Sequence, residues 1–230
     1  VTTVRVPVGC VALALAFAGG SLASVATPLH ASAPGSRLSL NLNLATSQEM
    51  SAVATGALVA EVNAIWHRSL SLIWRTADVS EPLPAMPESE DWLRVLVLAR
   101  QTPGTHETST FTVGELVRTE GNRPLALVST TAARRIVDEA ARLQPFDGPR
   151  EYDRRIGVVL GRAVAHEIGH YLLRTRTHAN QGLMRATIDA LEFADTRSRA
   201  FLLDNVAQAY LAELAEVPTR QALVFSYAAR

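Results

Sequence analysis

A single cysteine, Cys10, is present in 230 residues. A disulfide framework is therefore excluded, and so is a metal site built on several thiolates. Charge of one dominant sign is also missing, since Lys+Arg and Asp+Glu both number 22. That balance argues against a nucleic-acid partner, and no basic stripe or nucleic-acid-binding motif speaks for one. The chain has no glycine-rich phosphate loop, no Ser/His/Asp or Cys/His set to supply a nucleophile, and no internal repeat.

What is there is an ordinary globular composition, 48% hydrophobic and 19% charged, in a length that suits one domain with its own core. The first thirty-odd residues differ from the rest. Arg5 gives a short positive region, Val8 to Ala26 carries no charge, and Ala31-Ser32-Ala33 has the pattern that signal peptidase accepts. The expectation is a signal peptide over 1–33, cleaved after Ala26 or Ala33, and a single domain over 34–230. The protein would then be secreted or periplasmic, without stable membrane insertion after cleavage. Cys10 lies at the start of the apolar run, where a lipidated cysteine would follow it, and it leaves with the signal.

Leu38, Leu40, Leu42 and Leu44 alternate with polar residues, the period of a half-buried strand. Thr46 and Glu49 are spaced as a capping box, and Met50 to Trp66 then shows helical spacing. Leu70–Thr76, Trp92–Ala99, Phe111–Val117 and Leu125–Ser129 read as four more strands, with a hairpin-like turn at Glu120-Gly121-Asn122. Prolines 82, 84 and 87 enforce a loop. Ala132–Leu143 and Glu151–Leu173 read as helices, and Asp195 or Thr196 would cap a last helix running to about Leu214. The class is α+β: a small mixed sheet of about five strands packed on helices. Trp66, Trp74 and Trp92 lie on apolar faces and read as core, while His67 and His106 read as surface residues.

The long helix ends in His166-Glu167-Ile168-Gly169-His170. Residues i and i+4 lie one above the other, about 6 Å apart along the axis, so two imidazoles can converge on one tetrahedral zinc ion. Glu167 follows the first ligand and would act as general base toward a zinc-activated water. The upstream turns are apolar, which places the motif on a buried helix, where unpaired ionisable groups are costly. Zinc needs a third protein ligand. His178, beyond the polar stretch Arg174 to Thr177, is the best candidate, and Asp189 and Glu192 are the reserves.

The stretch His166 to Ala186 resembles the metzincin clan of zinc peptidases, whose pattern is H-E-x-x-H-x-x-G-x-x-H followed by a Met-turn. The resemblance implies a metzincin-like zincin fold of matrixin-like length, with His166, His170 and His178 as ligands to Zn2+, Glu167 as base, and Met184 as the apolar floor of the Met-turn. It also implies that Leu125–Ser129 is an edge strand that pairs with extended substrate. Two departures stand out: Leu173 replaces the family's glycine, and the third histidine comes two residues late. The function so implied is an exported zinc-dependent endopeptidase acting on a peptide or protein. The alternatives are a gluzincin-like hydrolase with two histidines and one carboxylate as ligands, and a non-catalytic zinc-stabilised protein of the same fold.

Overall fold

The structure is a computed structural model that describes residues 37–47, 49–80, 92–99, 113–118 and 124–216. The chain divides after Ala33, and the description concerns the second unit, 34–230. The expected signal region, the proline loop, the Glu120–Asn122 turn, His30 and His106 lie outside the described residues. Among the described residues, no helix is long and apolar enough to cross a membrane.

Five strands form one sheet in the order β2-β1-β3-β5-β4, with β1 Leu38–Thr46, β2 Leu70–Asp78, β3 Trp92–Leu98, β4 Gly114–Arg118 and β5 Pro124–Ser129. Strands β1, β2, β3 and β5 run parallel, and β4 is antiparallel to β5. The α+β expectation with a mixed sheet holds. Leu40, Leu42 and Leu44 of β1 and Leu93, Val95 and Val97 of β3 are buried in one core with helix residues, as alternation requires.

The assignment of the edge was wrong. Strand β5 lies inside the sheet between β3 and β4, with Ala126 and Val128 buried, and β4 is the edge. Antiparallel pairing lets β4 close the sheet beyond β5, and its half-exposed burial pattern suits that margin.

Helix α1 spans Ala52–Trp66 and is capped by the Ser51 hydroxyl, which accepts from the Ala54 N–H at 3.1 Å. The expected capping box is thus overturned, because Thr46 is still paired in β1 opposite Asp78. Helix α2 spans Thr130–Leu143, and α3 spans Gly148–Leu173 with Pro149 in its first turn. Helices α1 and α3 approach each other at Gly157 and Gly161; a Cβ at Gly161 would come within 2.8 Å of the Leu58 carbonyl oxygen.

The single late helix is also corrected. A short α4 covers Ala190–Ala194, and α5 begins only at Asn205 and runs to Glu216. Between them the carbonyls of Asp195 and Ser198 accept hydrogen bonds from Arg162 of α3, which diverts them from a helical ladder.

Candidate metal centre

His166 and His170 project from the last turns of α3 with ring centroids 4.5 Å apart. The chain must then leave the helix and return. It does so at Arg174, which ends α3 in the left-handed region at φ 51 and ψ 36. Leu173, at the place of the family's glycine, stays helical, and the next residue makes the turn. Thr177 N–H bonds the Thr175 hydroxyl, and the Thr175 carbonyl accepts from His170 Nδ1 at 2.7 Å. The loop is thus tied back to the helix it has just left.

His178 then comes to rest beside both helical histidines, 5.3 Å from the His166 ring and 5.0 Å from the His170 ring by centroids. Its position is fixed next door, where the Ala179 N–H donates to the Met184 carbonyl at 2.8 Å. The preceding carbonyl, of Leu183, accepts from His166 Nδ1 at 2.8 Å. Two consecutive carbonyls of the Gly182-Leu183-Met184 turn therefore place two of the three histidines. Met184 is buried against Gly169, in the turn between the helical histidines.

The donor set suits a zinc ion. One nitrogen from each histidine can be chosen so that all three lie within 4.8 Å of one another, a spacing that one ion with metal–nitrogen bonds of about 2.1 Å can draw together. On His166 and His170 the bond to a carbonyl puts the proton on Nδ1 and leaves Nε2 with a free lone pair. Burial pushes the His166 imidazole down to about 4, against the opposing Leu183 hydrogen bond, with smaller depression from His170 and His178. Burial likewise lowers His170. Neutral rings are the ligating form.

Glu167 lies between them in sequence but turns toward β4. Val113 C=O accepts from Ser129 N–H, so alternation points the peptide groups of Gly114 and Leu116 away from β5, to the open edge of the sheet. There the Leu116 N–H donates to the Glu167 carboxylate. Gly114 makes room: a Cβ on it would lie 2.9 Å from Glu167 Oε1. Burial pushes the Glu167 carboxyl up to about 8, Glu115 adds to the rise, and the Leu116 N–H opposes it.

The reserve ligands are placed elsewhere. Asp189 caps α4 by accepting from the N–H groups of Leu191 and Glu192. Both carboxylate oxygens of Glu192 are taken by Arg185, at 2.6 and 3.1 Å. Glu192 is thus engaged by a bidentate guanidinium, and the group of residues placed to hold a metal is His166, His170 and His178.

Sequence reasoning missed Gly114, Leu116, Glu115 and Arg162. A glycine heading a strand and an arginine inside the apolar run Ile156 to Val164 were the available signals.

No family model matches the chain, and no curated protein matches it. Among solved structures it is similar to an archaemetzincin from Methanopyrus kandleri, with a TM-score of 0.45 and 16% identity, over 78% of this chain and 96% of that one. It is also similar to a zinc-dependent peptidase from Methanocorpusculum labreanum strain Z, with a TM-score of 0.44 and 17% identity, over 74% of this chain and 99% of that one.

Proposed function

We propose that this chain is an exported zinc-dependent endopeptidase. The observation that carries the proposal is the convergence of His166, His170 and His178 beside a buried Glu167 that none of them engages as a hydrogen-bond partner in the described structure. A purely structural zinc site is closed by four protein ligands, whereas three leave a position open.

His166 and His170 would hold the ion through Nε2, and His178 would complete the set. When bound, zinc acidifies a coordinated water and polarises a carbonyl oxygen. Glu167 takes a proton on a carboxylate oxygen and returns it to the nitrogen of the departing amine. In the metal-free chain burial holds the Glu167 carboxyl up near 8; a divalent cation beside it would favour the carboxylate form that the base role requires. Strand β4 is an outer strand among the described residues, and the Gly114 peptide groups and the Leu116 carbonyl, which face away from β5, would offer an extended peptide the pairing of a further strand. Export rests on the charge-free run and the small residues of 1–33.

The test is zinc content and cleavage of a broad peptide library by the wild type and by Glu167→Gln. The wild type is expected to hold one zinc and cleave; the variant should keep the metal and lose activity by about 10²- to 10⁴-fold. Equal inactivity of both, with zinc retained, would instead support the non-catalytic zinc-stabilised protein. N-terminal sequencing of the exported product should begin at Thr27 or Pro34.

A further inference from the structure

We propose that Arg162 is a positioning residue for His166, acting through the peptide of Leu183. The inference rests on the metal-centre reading for its consequence, but its geometry stands apart from it. Arg162 precedes His166 by one helical turn and is 1% exposed. Its Nε donates to Glu61 Oε1 of α1 at 2.7 Å. Its Nη1 donates to the carbonyls of Glu192 and Phe193 at 3.1 and 2.8 Å, and its Nη2 to those of Asp195 and Ser198 at 2.9 and 3.2 Å. A guanidinium has five N–H donors in a fixed fork, and each finds a separate acceptor here. The ring of Phe201 covers the group, with Cζ 4.1 Å from its centroid, and Phe193 stacks on Phe201.

The next link follows directly along the chain. The Leu202 carbonyl accepts from the Leu183 N–H at 3.0 Å. Gly182, at φ +74, lies so near that a Cβ on it would be 2.6 Å from the same oxygen. The other side of that turn, the Leu183 carbonyl, receives His166 Nδ1–H. Both ends of this circuit start on one face of α3, four residues apart. Arg162 gathers the segment 192–201, the segment seats Leu183, and Leu183 orients the imidazole. The sequence alone offers no reason for a fully buried arginine here; fastening the end of α4 and the irregular residues after it supplies one, because carbonyls at a helix C-terminus and in a loop need donors in that interior.

A lysine at this position keeps the charge and loses the fork. In Arg162→Lys the affinity for Co2+, measured by the absorption of the bound ion, should fall about 10- to 100-fold, the range seen when partners that orient a ligand are removed. Leu70→Ala, in the strand at the opposite edge of the sheet from β4, serves as a control for general loss of stability and should change Co2+ affinity less than about twofold, since Leu70 provides none of the hydrogen bonds of the circuit. In the metal-free wild type, hydrogen exchange at Arg162 Nε–H, Leu183 N–H and His166 Nδ1–H should report one common opening free energy. The exchange measurement needs no variant, so it decides the matter even if Arg162→Lys does not fold. Free exchange at His166 Nδ1–H beside a protected Arg162 Nε–H overturns the proposal, as does an equal loss of Co2+ affinity in both variants. A wild type that binds no Co2+ refutes the metal reading instead, and the common opening then stands or falls by itself.

Discussion

Gly169 and Met184 are packed so closely that a methyl group on Gly169 would overlap the Met184 sulfur. The contact lies one residue before His170, where the floor of the site meets its helix. Gly169→Ala should therefore destabilise the metal-free protein by about 1–3 kcal/mol, although alanine is the better helix former. Adding Met184→Ala should restore part of that loss, giving a favourable coupling in a double-mutant cycle followed by thermal unfolding. Additive losses would show that the two side chains do not share the space described.

Gly114 holds the corresponding position toward Glu167. In Gly114→Ala the new Cβ would lie 2.9 Å from Glu167 Oε1, with Ala163 Cβ at 3.5 Å behind it. The carboxylate must move away from the Leu116 N–H. Peptidase activity should fall at least about tenfold, as for a misplaced catalytic group, while zinc content stays at the wild-type level. Loss of zinc together with activity would point to wider damage.

Removal of single histidines should separate their parts. His166→Ala leaves the carbonyl of buried Leu183 without its donor, at a cost of about 1–3 kcal/mol beyond the lost metal affinity, and His170→Ala frees the part-buried Thr175 carbonyl at a smaller cost. His178 is exposed, so His178→Ala should weaken metal binding with little effect on the melting temperature of the metal-free chain. Glu192→Ala should retain the metal and lose only the Arg185 pair. Metal titration and calorimetry on the same four variants test this directly.

The pH dependence of the metal-free protein has two opposing sources. Burial holds His166 near 4 instead of its ordinary 6.5. Between those values the unfolded chain binds a proton that the folded one refuses, so stability falls as pH drops from 6.5 to 4. Burial holds Glu167 near 8 instead of 4.5. There the folded chain keeps a proton that the unfolded one has released, so stability falls as pH rises from 4.5 to 8. His170, also lowered by burial, adds to the loss on the acid side, so a maximum toward the upper end of the span from 4.5 to 6.5 follows, with slopes of up to about 1.4 kcal/mol per pH unit from each group. Glu167→Gln should abolish the decline from 6.5 to 8, measured by urea unfolding in the presence of a chelator. A variant that declines as the wild type does would assign the slope to another group.

The sequence determined the strands, the long helix and the pair His166 and His170. These depend on periodicity: alternate residues of β1 share a face, and residues four apart share a side of α3. Such relations hold wherever the element forms. It also contained His178, yet could not choose between it and the carboxylates, because a side chain beyond a turn goes wherever that turn sends it.

Tertiary structure brings His178 beside the helical pair. Arg174 takes the left-handed conformation in place of a glycine, and the Met184 and Leu183 carbonyls then fix the returning segment. Strand β5 became interior because β4 could pair outside it, a matter of partners that no single strand records. The start of the expected last helix gave way to an irregular segment, where Arg162 takes the carbonyls of Asp195 and Ser198 from 33 and 36 residues away. Local pattern is carried by neighbours in the chain, whereas loops, edges and buried charges are settled by whichever distant group satisfies their hydrogen bonds.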